Sequence, residues 1–397
     1  MDLQNLNTHF RNLAVLSETD SHVISCYINN ETGPSGYRNS IDRRIREIRK
    51  VLSSDQRLDF EQALARIEAF LAADVNAGAK GIALFSRGGE TPFFNALQFR
   101  VPLPSLMSVD SVPHIYELVL LKDTFHRYVV LISTESHARI VEVSVGNITR
   151  ELWTERPELR QRVGREWTKE HYQNHQRDRT QKFFNEKIEI LDRLFTKEAH
   201  THLVLAGSAR TVSRVRDNLP KRLKDKLVDV VPMSGNASTG DVVGATLSAF
   251  AEHEETESRE TAALLLDELR TGGLAVADTA ATLEAVARGQ ADVLVLSESY
   301  TAPAGWKCNA CDCIGVDTAP KACPQCGDRA VAQLNLREEM IRNAERLGST
   351  VEIVRNSDVL LGIGGVGCLL RYLTWEQRAD RWGPVVGRLS GESAKGA

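Results

Sequence analysis

The 397-residue sequence contains no stretch of about 18 consecutive apolar residues, so no transmembrane helix is expected. It has no internal repeat. No biased tract appears before the last residues, RLSGESAKGA, and residues 374–397 are expected to be a disordered tail. The opening residues, MDLQNLNTHFRNL, lack the basic start and apolar run of a secretory signal. A cytoplasmic, reducing setting is therefore expected. There is no basic excess either: the net charge is −4 and the pI about 6.2, which argues against a protein wholly devoted to coating nucleic acid. Cysteine is scarce, at seven residues, yet clustered. In a reducing compartment a cluster points to metal or catalysis rather than disulfides.

Apolar residues make up 42% of the chain, ample for a core, and the length suits two or three domains. Three α/β domains are read, at 1–112, 113–260 and 261–373. In the first, HVISCYINN alternates as a strand, and Ile41, Ile45, Ile48 and Leu52 mark one face of a helix over 37–52. GIALFS is a second strand. In the next domain YVVLIST and ARIVEVSVG form a hairpin. A polar segment follows, then a helix over 181–196 with Phe184, Ile188, Leu191 and Phe195 on one face. The order HLVLAGS, ARTVSRVRDNL, DVVPM is strand, helix, strand, which implies parallel pairing. Residues 239–269 read as helical. The third domain alternates helix and strand around the cysteine cluster, ending in STVEIV.

The cluster reads C-N-A-C-D-C, then C-P-Q-C-G. Two Cys-x-x-Cys hooks each place two thiolates on one side of a tight turn, which suits tetrahedral zinc. Cys308, Cys311, Cys323 and Cys326 are the expected ligands, with Cys313 an alternative to Cys311. Four thiolates leave no open position for water, so the zinc is expected to be structural. A redox pair or merely buried cysteines is the competing interpretation.

TGGLAVADTAATLEAVARGQADVLVLSE, the cysteine insertion, AERLGSTVEIV and GIGGVGCLLRY follow one another in an order that resembles the third domain of class-one peptide release factors and the related Pelota proteins. FFNEKIEILDRLF, HLVLAGSAR and DVVPMSGNASTGD extend the resemblance into the second domain. It implies a three-domain release-factor-like architecture with the zinc knuckle inserted in the last domain. It also implies a ribosomal role at the A site, with ribosomal RNA as partner and a translational GTPase, elongation factor Tu in bacteria, facing the third domain. Bacterial members of this kind include ribosome hibernation factors.

Two features of that family are missing. Release factors hydrolyse peptidyl-tRNA through a Gly-Gly-Gln tripeptide in the second domain. Here Gly88-Gly89 precedes Glu90, Gly272-Gly273 precedes Leu274, and Gly364-Gly365 precedes Val366. The codon-reading Asn-Ile-Lys-Ser is absent too. No catalytic residue is therefore assigned. The segment 155–182, where the tripeptide loop is expected, instead carries Arg160, Arg162, Arg165, Lys169, His171, His175, Arg177 and Arg179 among Trp153, Trp167 and Tyr172. Guanidinium groups pair with phosphates and aromatic rings stack on bases, so RNA contact is expected there, against the alternative of a solvated helix. Arg43 and Arg44 of the first domain are a further candidate RNA contact, again against a solvated face. Gly362, Gly364 and Gly367 spell a dinucleotide fingerprint, but too little chain follows for the βαβ unit it needs, so a packing turn is expected. Ser208 reads as a helix N-cap.

Overall fold

The computed structural model describes residues 6–19, 21–155, 169–197, 200–374 and 377. They form two compact units, Met1–Thr256 and Glu257–Ala397. The expected tail beyond 374 lies almost wholly outside the described residues.

The first unit begins with α1 (Leu6–Ala14), β1 (Val23–Asn29), α2 (Pro34–Val51), α3 (Ser54–Ala73), β2 (Gly81–Arg87), β3 (Phe93–Phe99) and β4 (Leu106–Asp110). The strands make an antiparallel sheet in the order β3-β2-β1-β4. Alternation along β1 sends Ile24, Cys26 and Ile28 to one face, where Ile41, Ile45 and Ile48 of α2 and Phe60, Leu64 and Ile67 of α3 cover them. The isoleucine stripe read in the sequence is that buried face. Helix α3 starts with a capping box: Ser53 accepts from the Gln56 N–H, and the Gln56 side chain accepts from the Ser53 N–H.

The chain continues through α4 (Tyr116–Thr124), β5 (Tyr128–Ser133), β6 (His137–Ser144), β7 (Asn147–Glu155) and α5 (Lys169–Lys197). It then runs through β8 (His202–Gly207), α6 (Ala209–Asn218), α7 (Lys221–Lys224), β9 (Leu227–Pro232) and α8 (Thr239–Thr271). The sheet order is β7-β6-β5-β8-β9, with the β5–β6 hairpin antiparallel and β5-β8-β9 parallel. Val129, Leu131, Leu203 and Leu205 face α5, α6 and α7, while Tyr128, Val130 and Val204 face Val242, Val243 and Phe250 of α8. Sheet between helices is what the strand–helix–strand reading requires. The helix expected over 181–196 is longer, and its most buried side chains are Phe183, Lys187, Leu191 and Leu194. Of the expected stripe, Leu191 is fully buried, and Phe184, Ile188 and Phe195 are partly buried.

Helix α8 carries the chain into the second unit. There follow β10 (Ala275–Ala277), α9 (Thr279–Ala287), β11 (Ala291–Ser297), β12 (Ala304–Cys308), β13 (Ile314–Val316) and β14 (Val331–Asn335). The unit closes with α10 (Leu336–Leu347), β15 (Thr350–Val354), α11 (Asp358–Gly362) and β16 (Val366–Leu370). The main sheet runs β10-β16-β11-β15, with β11 and β15 parallel. Between β11 and α10 sits a separate ribbon, β13-β12-β14, which carries the cysteines. The cysteine cluster is thus an insertion in an α/β layer, as expected. The glycine run Gly362–Gly367 leads into strand β16 and not a helix, so it is no dinucleotide loop. Gly364 and Gly365 have φ of 101° and 75°, conformations that a side chain would strain.

Candidate functional site

The ribbon brings Cys308, Cys311, Cys323 and Cys326 together, with all four sulfurs within 4.8 Å of one another. Cys308 ends β12, Cys311 lies in the turn after it, and the other pair lies in the loop before β14. The two hooks share one backbone design. In the first, the Asp312 N–H donates to the Cys308 carbonyl at 2.9 Å, with Asp312 at φ 56°. In the second, the Gly327 N–H donates to the Cys323 carbonyl at 2.9 Å, with Gly327 at φ 75°. Each hook therefore closes on a left-handed residue directly after its second cysteine, and both thiols of the hook turn to one side. Cys313 packs beside the cluster without joining the four, so it is Cys311 that completes the set. Buried Trp306 roofs the site, and a Cβ on Gly315 of β13 would run into its indole.

The Cys308–Cys326 and Cys311–Cys323 sulfurs are 3.6 Å apart. A tetrahedron with metal–sulfur bonds of about 2.3 Å has edges of about 3.8 Å, so the spacing fits a metal and is far longer than a disulfide. The acid–base balance points the same way. The backbone N–H of Cys326 draws the Cys323 thiol down to about 7. For Cys311 the backbone N–H of Cys313 favours the thiolate, but sharing with Cys326, Cys323 and Cys308, together with burial, pushes it up to about 12. Crowded sulfurs tolerate one anion; a cation at their centre would let all ionise. The four cysteines could thus hold a metal ion.

The expected RNA-contacting residues fare differently. Arg160, Arg162 and Arg165 lie outside the described residues. Lys169, His171, His175 and Arg177 fall in the helical run of α5, their side chains outside what is described. Arg179 is half-buried on the same helix. Arg43 and Arg44 are exposed on α2, where Arg44 reaches the Met107 carbonyl at 3.2 Å and Glu47 at 3.1 Å. The three Gly-Gly pairs are all turns with steric reasons of their own. A Cβ at Gly88 would strike the Asp59 backbone, one at Gly273 would strike Glu268, and Gly365 lies against Tyr300. Ser208 caps α6, accepting from the Thr211 N–H, as read from the sequence.

Sequence reasoning missed a set of buried ions in the first unit. Glu142, 3% exposed, is held by Arg127 at 2.7 Å, Thr149 at 2.6 Å and His200 at 3.3 Å. Burial alone would raise its pKa, but hydrogen bonds from His200 and Thr149 and the charge of Arg127 outweigh it and hold the carboxyl down at about 2. Glu254 on α8 similarly meets His126 at 2.8 Å and His202 at 3.6 Å. These groups tie the amino-terminal ends of β5 and β8 to their neighbours. No local motif announces them, because the partners are brought together only by the fold.

Residues 113–251, the stretch that builds the five-stranded sheet and its helices, match the family model of bacterial archaeo-eukaryotic release factor family 10. That stretch is release-factor-like. Among solved structures it is similar to the archaeal translation termination factor, at 16% identity over 94% of this chain and 99% of that one, with a TM-score of 0.26. It is similar to Archaeoglobus fulgidus Pelota at 16% identity, covering 73% and 80% of the two chains, with a TM-score of 0.34. It is also similar to the S. cerevisiae translation termination-like factor Dom34 at 9% identity, covering 75% and 82%, with a TM-score of 0.38. No curated protein matches the sequence. Among the described residues no helix is long and apolar enough to cross a membrane.

Proposed function

We propose that the chain is a non-catalytic translation factor that binds the ribosome and occupies its A site, in hibernation or rescue. One observation carries this reading: a release-factor family match over residues 113–251 in a chain that nowhere contains Gly-Gly-Gln. Filling a vacant site needs shape and charge complementarity, and no reactive constellation. In this reading residues 1–112, 113–260 and 261–373 act as three domains. Arg160, Arg162, Arg165, Lys169, His171, His175, Arg177 and Arg179 pair with ribosomal RNA near the peptidyl-transferase centre, and Arg43 and Arg44 near the decoding centre. The metal in the ribbon is zinc, and the domain around it faces a translational GTPase such as elongation factor Tu. The protein works in the cytoplasm as part of a stress response.

The test is cosedimentation with ribosomes from growing and from starved cells, followed by a density map of the bound particle. Density in the A site, with the 155–182 segment entering the large subunit, is the expected result. Absence from the ribosome fraction at low salt under both conditions overturns the reading. Release of a nascent peptide by the pure protein, lost on changing Gln161, Gln173 or His171, would replace it with a hydrolase using a non-standard loop. A dominant RNA or protein partner unrelated to ribosomes would replace it with a plain binding module.

A further inference from the structure

We propose that the outward face of α6 and α7 is a docking surface for the sugar-phosphate backbone of RNA, separate from the 155–182 segment. Residues 209–226 carry Arg210, Arg214, Arg216, Lys221, Arg222, Lys224 and Lys226 against Asp217 and Asp225, in a chain whose net charge is −4. All of the cations are exposed. Arg222 is engaged by Asp192 of α5, and Arg216 lies 3.8 Å from Asp217. Among the described residues no carboxylate pairs with Arg210, Arg214, Lys221, Lys224 or Lys226. Arg210 and Arg214 stand one turn apart on α6, and Lys221 and Lys224 one turn apart on α7. Like charges at that spacing repel, so the fold carries the cluster at a cost.

The same helices are rigidly seated. Val212, Val215, Leu219 and Leu223 are buried in the core cluster beneath them, which fixes the face of each helix that carries the cations. What the face lacks selects its partner. Exposed large apolar side chains run from Val15 to Leu106 and from Leu264 to Tyr372, with none on α6 or α7. A protein partner would be held by apolar or aromatic anchors, and a membrane by an apolar face. A phosphate backbone asks only for fixed cations. The inference does not depend on occupancy of the ribosomal A site.

The test titrates the full chain with a labelled single-stranded RNA of mixed sequence across a salt series. The variant R210Q/R214Q/K221Q/K224Q/K226Q is expected to bind at least about ten-fold more weakly at low salt. Its salt slope should shrink by about 2–3.5, from about 0.7 per phosphate released. A control with Arg288, Lys321 and Arg329 of the second unit changed to Gln should bind nearly as the parent does. The milder K221Q/K224Q variant, expected to lose about 1.4 of slope, answers the question if the larger one misfolds. An unchanged slope in a folded variant overturns the proposal, as does an equal loss in the control. Competition by polyglutamate as strong as by unlabelled RNA also overturns it, in favour of an acidic protein partner. Ribosome cosedimentation is scored separately, so either proposal can fail alone.

Discussion

Lys187 sits in the middle of α5 with 4% of its surface exposed, and its amine lies 2.8 Å from the Ser133 hydroxyl and 3.8 Å from the centre of the Phe183 ring. Among the described residues no carboxylate pairs with it. Burial, with a smaller contribution from the nearby charge of Arg214, pushes its pKa down from 10.5 to about 8. The sign of the linkage follows. Between pH 8 and 10.5 the unfolded chain holds a proton that the folded chain has released, so stability rises with pH across that window. Below pH 8 both states are charged and the full cost of the buried cation stands. A shift of this size corresponds to about 3 kcal/mol.

Lys187→Met keeps an unbranched side chain, one atom shorter, and removes the charge. It also strands the Ser133 hydroxyl, which costs about 1–2 kcal/mol. The expected net gain at pH 7 is therefore about 1–2 kcal/mol, or roughly 2–8 °C in the melting of the first unit. Differential scanning fluorimetry of parent and variant from pH 7 to 10.5 reads the difference, in which other titrations cancel. The advantage of the variant should fade across the window and reverse near its top. A variant less stable than the parent at pH 7, with a difference independent of pH, would refute the reasoning.

Glu142→Gln should destabilise the first unit by about 2 kcal/mol at pH 7, less than the full pKa shift because Arg127 is 43% exposed to solvent. Its carboxylate contribution should be complete above pH 4.5 and vanish as pH falls toward 2, a window read by acid titration of the melting temperature. If the four cysteines hold the proposed zinc, elemental analysis after dialysis should find about one zinc per parent chain and close to none in Cys308→Ser or Cys323→Ser. Gly327→Ala meets nothing within 4 Å, so only its backbone conformation is penalised. That costs about 1–2 kcal/mol, and the metal should leave about 5–30 times more readily in chelator competition.

Much of the fold follows from period and punctuation. Ile41, Ile45 and Ile48 recur at helical spacing because one face of α2 must cover Ile24, Cys26 and Ile28. The hooks are legible because metal geometry restricts spacing more tightly than packing does. Helix α5 shows where the signal breaks: its buried ladder passes through Lys187, and a lysine in an apolar row erases the periodicity that would reveal it. The capping box of α3 stands in the sequence as Ser53 and Gln56, directly after the helix read over 37–52, yet no helix is read from it. The three ribbon strands are too short to alternate audibly among cysteines and turns. Buried Glu142 could not be foreseen, since Arg127, Thr149 and His200 reach it from three separate places in the chain.

The glycine pairs bear on the proposed lack of chemistry. A loop that positions water at an ester must be free to approach its substrate, with its glycines serving backbone geometry at the reacting group. Here Gly88 abuts the Asp59 backbone, Gly273 abuts Glu268, and Gly365 abuts Tyr300. Each pair is committed to closing a turn within its own unit, and none is followed by glutamine. A glutamine placed after any of them, as in Glu90→Gln, would restore the tripeptide in letters only. E90Q is therefore expected to release no nascent peptide from ribosomes carrying peptidyl-tRNA. Measurable release by E90Q above the parent would show that a glycine pair outside 155–182 can reach the ester, and the reasoning from packed turns would fail.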